Sequence, residues 1–241
     1  MKNIHELEDD LRERWLKSYP DDERKAFCFD GLCYNGEIYN DGKNAHQGNE
    51  EKLWNNTDRR ILFLMKDTNN NSDSDYREWH WRNINHNFFN CIFKWLEGLS
   101  RISKDFIPTM ENGDYATVPN AVVTKYPLAI VNIKKISGTS FVSNKTLYEY
   151  ANRDKAFLQE QIRGILHPNI IVCGGGKGTV LNIAKNIIYE DESFREINYF
   201  CHYSRKLNIL LIDSFHPSAR INSYWKIEDM MLKVHEFIIE T

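Results

Sequence analysis

The stretch Ile209-Leu210-Leu211-Ile212-Asp213-Ser214-Phe215-His216-Pro217-Ser218 reads as an apolar strand that runs out into a His-Pro-Ser loop. Three earlier apolar runs end the same way. Ile61-Leu62-Phe63-Leu64-Met65 is followed by Lys66-Asp67, Leu128-Ala129-Ile130-Val131 by Asn132, and Ile170-Ile171-Val172-Cys173 by Gly174-Gly175-Gly176-Lys177. Continuous apolar runs of this length suit strands covered on both faces, the habit of parallel sheets. Parallel strands point one way, so their polar endings gather on one edge, where open α/β sheets bind ligands. An Asp, an Asn and a His brought to that edge mark a candidate site.

Helical patterns separate the strands. Ile4, Leu7, Leu11 and Trp15 recur at helical spacing and predict a first helix, stopped at Tyr19-Pro20. Further helices are expected over Phe88 to Leu99, Leu147 to Leu166, Thr179 to Ile188 and Ile227 to Ile239. Asn40 to Asn56 reads as a polar loop, and Ser103 to Lys125 as irregular. Strands alternating with helices imply βαβ units with right-handed crossovers. The fold class is therefore α/β, a three-layer α/β/α sandwich with a central four-stranded parallel sheet. No linker composition or internal repeat divides the chain. One domain over residues 1–241 is expected, with residues 1–58 forming an N-terminal helix and irregular extension packed on it.

Composition sets bounds. The chain has 241 residues, 41% of them hydrophobic, enough for a full core. No apolar run approaches the roughly 18 residues of a spanning helix, and the first residues are acidic and amphipathic rather than leader-like. A cytoplasmic, monomeric protein without membrane contact is expected. The formal charge of −3 supplies no general attraction to nucleic acid. Five irregularly spaced cysteines without a CxxC suggest buried thiols. Neither a metal nor any other cofactor is expected.

Single motifs have ordinary readings. Gly174-Gly175-Gly176-Lys177-Gly178-Thr179 opens a helix after a strand and could cradle a phosphate, but it fits neither GxxxxGK[ST] nor GxGxxG. Tight strand-to-helix packing accounts for the glycines equally well. Asp67 alone would be a cap or turn residue. Asn132 is an amide in an apolar run, which must find hydrogen bonds or be costly. It could brace a loop or read the edge of a ligand.

The combination is more specific. Lys66-Asp67 after the first strand, Asn132 in the second, Cys173-Gly174 after the third and His216-Pro217-Ser218 after the fourth resemble the uracil-DNA glycosylase superfamily. The resemblance covers roughly Arg60 to Arg220. The segment Phe29-Asp30-Gly31 to Glu37-Ile38-Tyr39, together with Asn132-Ile133-Lys134-Lys135, is similar to a bacterial subgroup of uracil-DNA-glycosylase-like proteins. The family's first motif, G-x-[DN]-P, stands here as Met65-Lys66-Asp67-Thr68, without its glycine and proline.

The resemblance implies hydrolysis of the N-glycosidic bond of a flipped uracil or modified base in DNA, with DNA repair as the setting. Asp67 would stabilise the positive sugar and orient water. His216, best kept neutral, would donate to the leaving base. Asn132 would bond the base edge. Trp79 or Trp81 would stack on it, with Phe88 and Phe89 behind. Lys66, Lys134, Lys177, Ser218 and Arg220 would hold phosphates, with Lys135 adding to a basic edge. No iron–sulfur cluster is expected. The Asp67 and His216 pair favours an enzyme acting on DNA or a nucleoside. The altered first motif favours a non-catalytic nucleic-acid or nucleotide-binding module on the same fold.

Overall fold

The first helix, α1 (Ile4–Ser18), starts at Asn3, whose side chain accepts from the Glu6 backbone while the Glu6 carboxylate reaches back to the cap. A computed structural model describes residues 2–39, 44–68, 74–78, 87–116, 119–138, 141–176, 178–222 and 224–241. After α1 come α2 (Asp21–Arg24), β1 (Cys28–Phe29), β2 (Gly31–Leu32), α3 (Glu50–Asn56), β3 (Ile61–Asp67), β4 (Ser74–Asp75), α4 (Asn87–Arg101) and α5 (Pro119–Val123). The chain continues through β5 (Ala129–Lys134), α6 (Asn144–Arg153), α7 (Lys155–Gln159), β6 (Ile170–Gly174), α8 (Thr179–Ile183), β7 (Arg195–Glu196), β8 (Cys201–Ser204), β9 (Ile209–Ser214) and α9 (Asp229–Glu240). Wide π-type turns extend α7 over Glu160–Leu166 and α8 over Ala184–Ile188, and lead into α9 over Tyr224–Glu228.

The α/β class stands, but the expected four-stranded sheet is corrected. The main sheet has seven strands in the order β2-β5-β3-β6-β9-β8-β7 and is mixed. Four adjacent strands, β5, β3, β6 and β9, run parallel within it. The additions are antiparallel: β2 on β5, and β8 with β7 beyond β9. Two of them are only two residues long, and β7 is exposed. Strands so short carry no periodic signal, so the sequence pattern does not show them.

Alternation along the strands explains the burial. Ile61, Phe63 and Met65 enter one core with Trp95, Leu96, Met230 and Met231. Leu62 and Leu64 enter the other with Trp15, Leu147, Leu158 and Val180. Helices thus cover both faces. The expected loop over 40–56 contains α3, and the expected irregular stretch over 103–125 contains α5. The helix expected over 147–166 breaks at Asp154, whose carboxyl takes the Tyr19 hydroxyl and the Arg153 guanidinium. Residues 1–58 contribute more than a packed extension, because β2 hydrogen-bonds to β5.

Among the described residues no helix is long and apolar enough to cross a membrane.

Candidate active site at the carboxyl edge of the sheet

The strand registers fix the relative heights of the expected residues. Met65 lies beside Asn132, Asp67 beside Lys134, and Gly174 beside Ser214. Asp67 and His216 each lie two residues beyond that shared level. Their strands are separated by β6 alone. Lys66 bears electrostatically on both groups. Gly174 makes the level between them possible, since a β-carbon there would sit 2.4 Å from the Met65 Sδ.

His216 is tightly specified. Its Nδ1 accepts the Ser218 backbone N–H at 3.2 Å, which places the ring proton on Nε2. Burial lowers its pKa, and the charges of Lys66 and Lys226 lower it further. The imidazole therefore stays neutral, with an N–H to donate. Lys226 also holds the loop by donating to the Pro217 carbonyl at 3.1 Å. The Phe88 ring lies 5.7 Å from the imidazole, tilted by 49°. Phe88 itself packs edge-on against Phe89.

Asp67 is less open than a water-orienting carboxylate would be. It is half-buried, and its Oδ2 faces the Lys134 ammonium at 3.7 Å, an ionic contact longer than a hydrogen bond. The backbone at Gly138 closes over it, leaving only 2.7 Å between Oδ2 and a β-carbon placed there. Burial raises the Asp67 pKa against the pull of Lys134 and Lys66. Among the described residues the same Oδ2 and the neighbouring Thr68 Oγ1 are buried without a hydrogen-bond partner.

Two residues expected on the basic edge turn inward, which corrects their assignment. Lys134 is 6% exposed; its ammonium donates to the Ile136 carbonyl and lies 5.2 Å from the centre of the Tyr150 ring. Lys135 is fully buried, bonded to Asp30 and 4.9 Å from the Trp15 ring. Neither ammonium is available to grip a phosphate at the surface. Their adjacency reads as a basic doublet, but Asp67 and Asp30 draw both inside. Among the described phosphate candidates, Lys66 and Ser218 are half-buried and Arg220 is exposed. Trp79, Trp81 and Lys177 lie outside the described residues.

Asn132 is where sequence reasoning missed most. Asp30 Oδ2 accepts from both its backbone N–H at 3.0 Å and its side-chain Nδ2 at 2.9 Å. Lys135 takes the other Asp30 oxygen and reaches Gln161 Oε1 at 3.3 Å. Gln161 in turn donates to the Asp30 carbonyl at 2.6 Å and to Glu8 at 3.3 Å. Glu8 stands 3.6 Å from Arg77, which pairs with Asp75 and Asp9. A buried polar chain thus runs from α1 to β5. The only sequence signal for it was the Asp30-Gly31 pair itself.

The glycine loop is described apart from Lys177. Gly176 and Gly178 adopt φ of 64° and 72°, which admit the turn. The Gly178 N–H faces the Asp213 side chain and favours its charged form. Burial pushes the Asp213 carboxyl up to about 6. Among the described residues its Oδ1 is buried without a hydrogen-bond partner. Asp213 was passed over in the sequence because it sits between Ile212 and Ser214 as an ordinary strand-end residue.

Beyond the His216 loop, Ile221, Tyr224 and Trp225 are exposed, Trp225 by 53%. Compared with known proteins, the chain matches no protein-family model and no curated protein.

Proposed function

We propose that the protein is a uracil-DNA-glycosylase-like hydrolase that takes an unstacked uracil or modified base into this cleft and cleaves its N-glycosidic bond. In this reading the parallel strands β5, β3, β6 and β9 form the core of that superfamily's α/β/α sandwich. The observation that carries the reading is His216: a neutral imidazole, its tautomer set by Ser218, beside a Phe88 ring and on the same edge as an Asp and an Asn.

The chemistry follows from charge. The C1′–N bond breaks with its electron pair going to the base, and water oxygen bonds C1′ while losing a proton. A neutral Nε2–H aimed at a base oxygen stabilises the developing anion without adding a fixed charge. Asp67 faces the positive sugar and the attacking water. Asn132 bonds the base edge and Phe88 stacks on it. Exposed Tyr224 and Trp225, beside Arg220, suit bases flanking the target in an unpaired strand.

A second reading has its own support. Asp67 is covered by the Gly138 backbone and paired with Lys134, an arrangement that suits recognition without hydrolysis. One experiment separates the two. Oligonucleotides containing uracil or a modified base are incubated with protein, treated with alkali and resolved for strand scission, with affinity measured in parallel. A hydrolase nicks the strand. His216→Ala and Asp67→Asn then each lower the rate about 10²–10³-fold and the affinity far less, because both act on charge developed in the transition state. Binding without scission leaves the recognition module, and neither binding nor scission ends both readings.

A further inference from the structure

The opposite edge of the sheet, where the parallel strands begin, holds a cavity of about 200 Å³. Two helix ends and two strand starts enclose it. Leu99 comes from the last turn of α4, Ile102 follows that helix, Leu210 comes from β9, and Val234 and Phe237 come from α9. Leu99, Ile102, Leu210 and Val234 are all buried, so the floor is apolar. Arg59 and Tyr203 are half-buried and Asn208 is exposed, so the cavity opens to solvent on its polar side. One water takes about 30 Å³ of liquid volume, and pockets for drug-sized ligands start at about 300 Å³. The space is too large for a single water and suits a compact ligand of roughly ten heavy atoms.

The polar groups around the cavity are spent unequally. Asn169 is committed elsewhere: its Oδ1 accepts the Arg60 N–H at 2.9 Å and its Nδ2 donates to the Asp58 carbonyl at 2.6 Å. The Tyr203 hydroxyl donates to Asn208 Oδ1 at 2.8 Å. What remains is rich in donors. Arg59 Nη1 donates at 2.7 Å to the carbonyl of Leu99, which ties the guanidinium to the cavity wall. Among the described residues, Arg59 Nε and Nη2 have no hydrogen-bond acceptor and the group has no ion-pair partner. Asn208 Nδ2 is likewise unbonded among them. Burial lowers the Arg59 pKa while the charge of Asp58 opposes that, as befits a cation held part-way into apolar surroundings. A planar fork of N–H donors matches the two oxygens of a carboxylate.

We propose that this cavity binds a small monocarboxylate with a compact apolar body, its carboxylate on the Arg59 fork and its body against Leu99, Leu210 and Phe237. The Tyr203 and Phe237 rings, 5.0 Å apart and tilted by 56°, line one side, so a ring in the ligand gains edge-to-face contacts. Inorganic anions would satisfy the guanidinium and leave the apolar floor unfilled. The proposal does not depend on the reading of the carboxyl edge as a base site. Ile170 and Leu210, paired at the cavity, begin the strands that end at Gly174 and Ser214.

The test uses the full chain and three probes, phenylacetate, phenylacetamide and acetate, followed by backbone amide NMR shifts. Phenylacetate should bind with a Kd of about 0.1–1 mM, the range open to roughly ten heavy atoms, and should move the signals of residues 99–102 and 234–238. Phenylacetamide keeps the body without the charge and should bind about tenfold more weakly. Acetate keeps the charge without the body and should lose at least about tenfold as well. Arg59→Gln should weaken phenylacetate about tenfold and leave phenylacetamide within about twofold, a split that general loss of structure does not produce. If that variant fails to fold, the three probes on the wild-type protein decide alone. The proposal is overturned if phenylacetate leaves those signals unmoved, if either comparison probe binds as tightly, or if folded Arg59→Gln binds phenylacetate like the wild type. None of these outcomes alters the strand-scission test of the other edge.

Discussion

Replacing Glu8 with Gln should stabilise the protein above neutral pH and leave it unchanged in acid. Glu8 is fully buried beneath β2, where Leu32 N–H meets Oε2 at 3.3 Å and Gln161 Nε2 meets Oε1 at 3.3 Å. Arg77 lies at 3.6 Å and His5 at 4.0 Å. Burial raises the carboxyl pKa to about 7, against the pull of Arg77 and His5. The folded state therefore keeps a proton that the unfolded chain has already released at its ordinary value of 4.5. Between these limits the folded state binds more protons, so stability falls as pH rises and levels off above about 7. A displacement of about 2.5 units at 1.36 kcal/mol each gives a ceiling of about 3 kcal/mol. Gln resembles the protonated carboxyl and avoids that loss. At pH 8 the variant should gain up to about 3 kcal/mol, or roughly 6–12 °C in Tm for a chain of this size. Below pH 4.5 the two proteins should coincide. Urea unfolding followed by tryptophan fluorescence at several pH values measures the difference directly. Parallel stability curves for the two proteins across this range would refute the reasoning. A variant less stable at pH 8 would show that attraction to Arg77 outweighs the burial.

Two further outcomes are expected. Asp213→Asn keeps an acceptor for the Gly178 N–H and removes a half-buried carboxyl raised to about 6; it should be more stable than wild type at pH 8 by about 1–2 kcal/mol, allowing for its partial exposure, and equal to it below pH 4, which the same urea series checks. Nucleic-acid affinity should depend only mildly on salt, with a log–log slope of about 1–2, because each phosphate contact adds about 0.7–0.9 for single strands and B-DNA and Lys134 and Lys135 are turned inward; a slope of 4 or more in anisotropy titrations would contradict that count.

The parallel strands were legible because burial on both faces writes itself as unbroken apolar runs, as in Ile61 to Met65 and Ile209 to Ile212. The helices α1, α4 and α9 were legible from their stripes. What escaped was whatever depends on distant partners. Lys134 and Lys135 look like a solvated pair in the chain, and only the fold reveals that Asp67 and a residue 105 positions away from Lys135, Asp30, receive them. Asn132 was singled out from sequence as a costly amide needing bonds, and its bonds are found, but the partner is Asp30. The edge strands β2 and β7 escaped for a different reason: two residues cannot display a period. Asp67 ends β3 and His216 follows two residues after the end of β9, at the carboxyl ends of two parallel strands with β6 between them.

The N-terminal segment bears on the candidate site more than its position suggests. Asp30 lies between β1 and β2, and its carbonyl accepts from Gln161. Cations that might have faced solvent are distributed along this segment instead: Lys135 on Asp30, Arg77 on Glu8, Asp9 and Asp75. For the closest of these pairs, Lys135 with Asp30, removing one partner alone strands a buried charge at a cost of about 3–5 kcal/mol. The chain therefore holds the Asn132 amide by the same network that ties α1 and β2 to the sheet. A change in the first thirty residues that frees Asp30 would therefore loosen Asn132 as well.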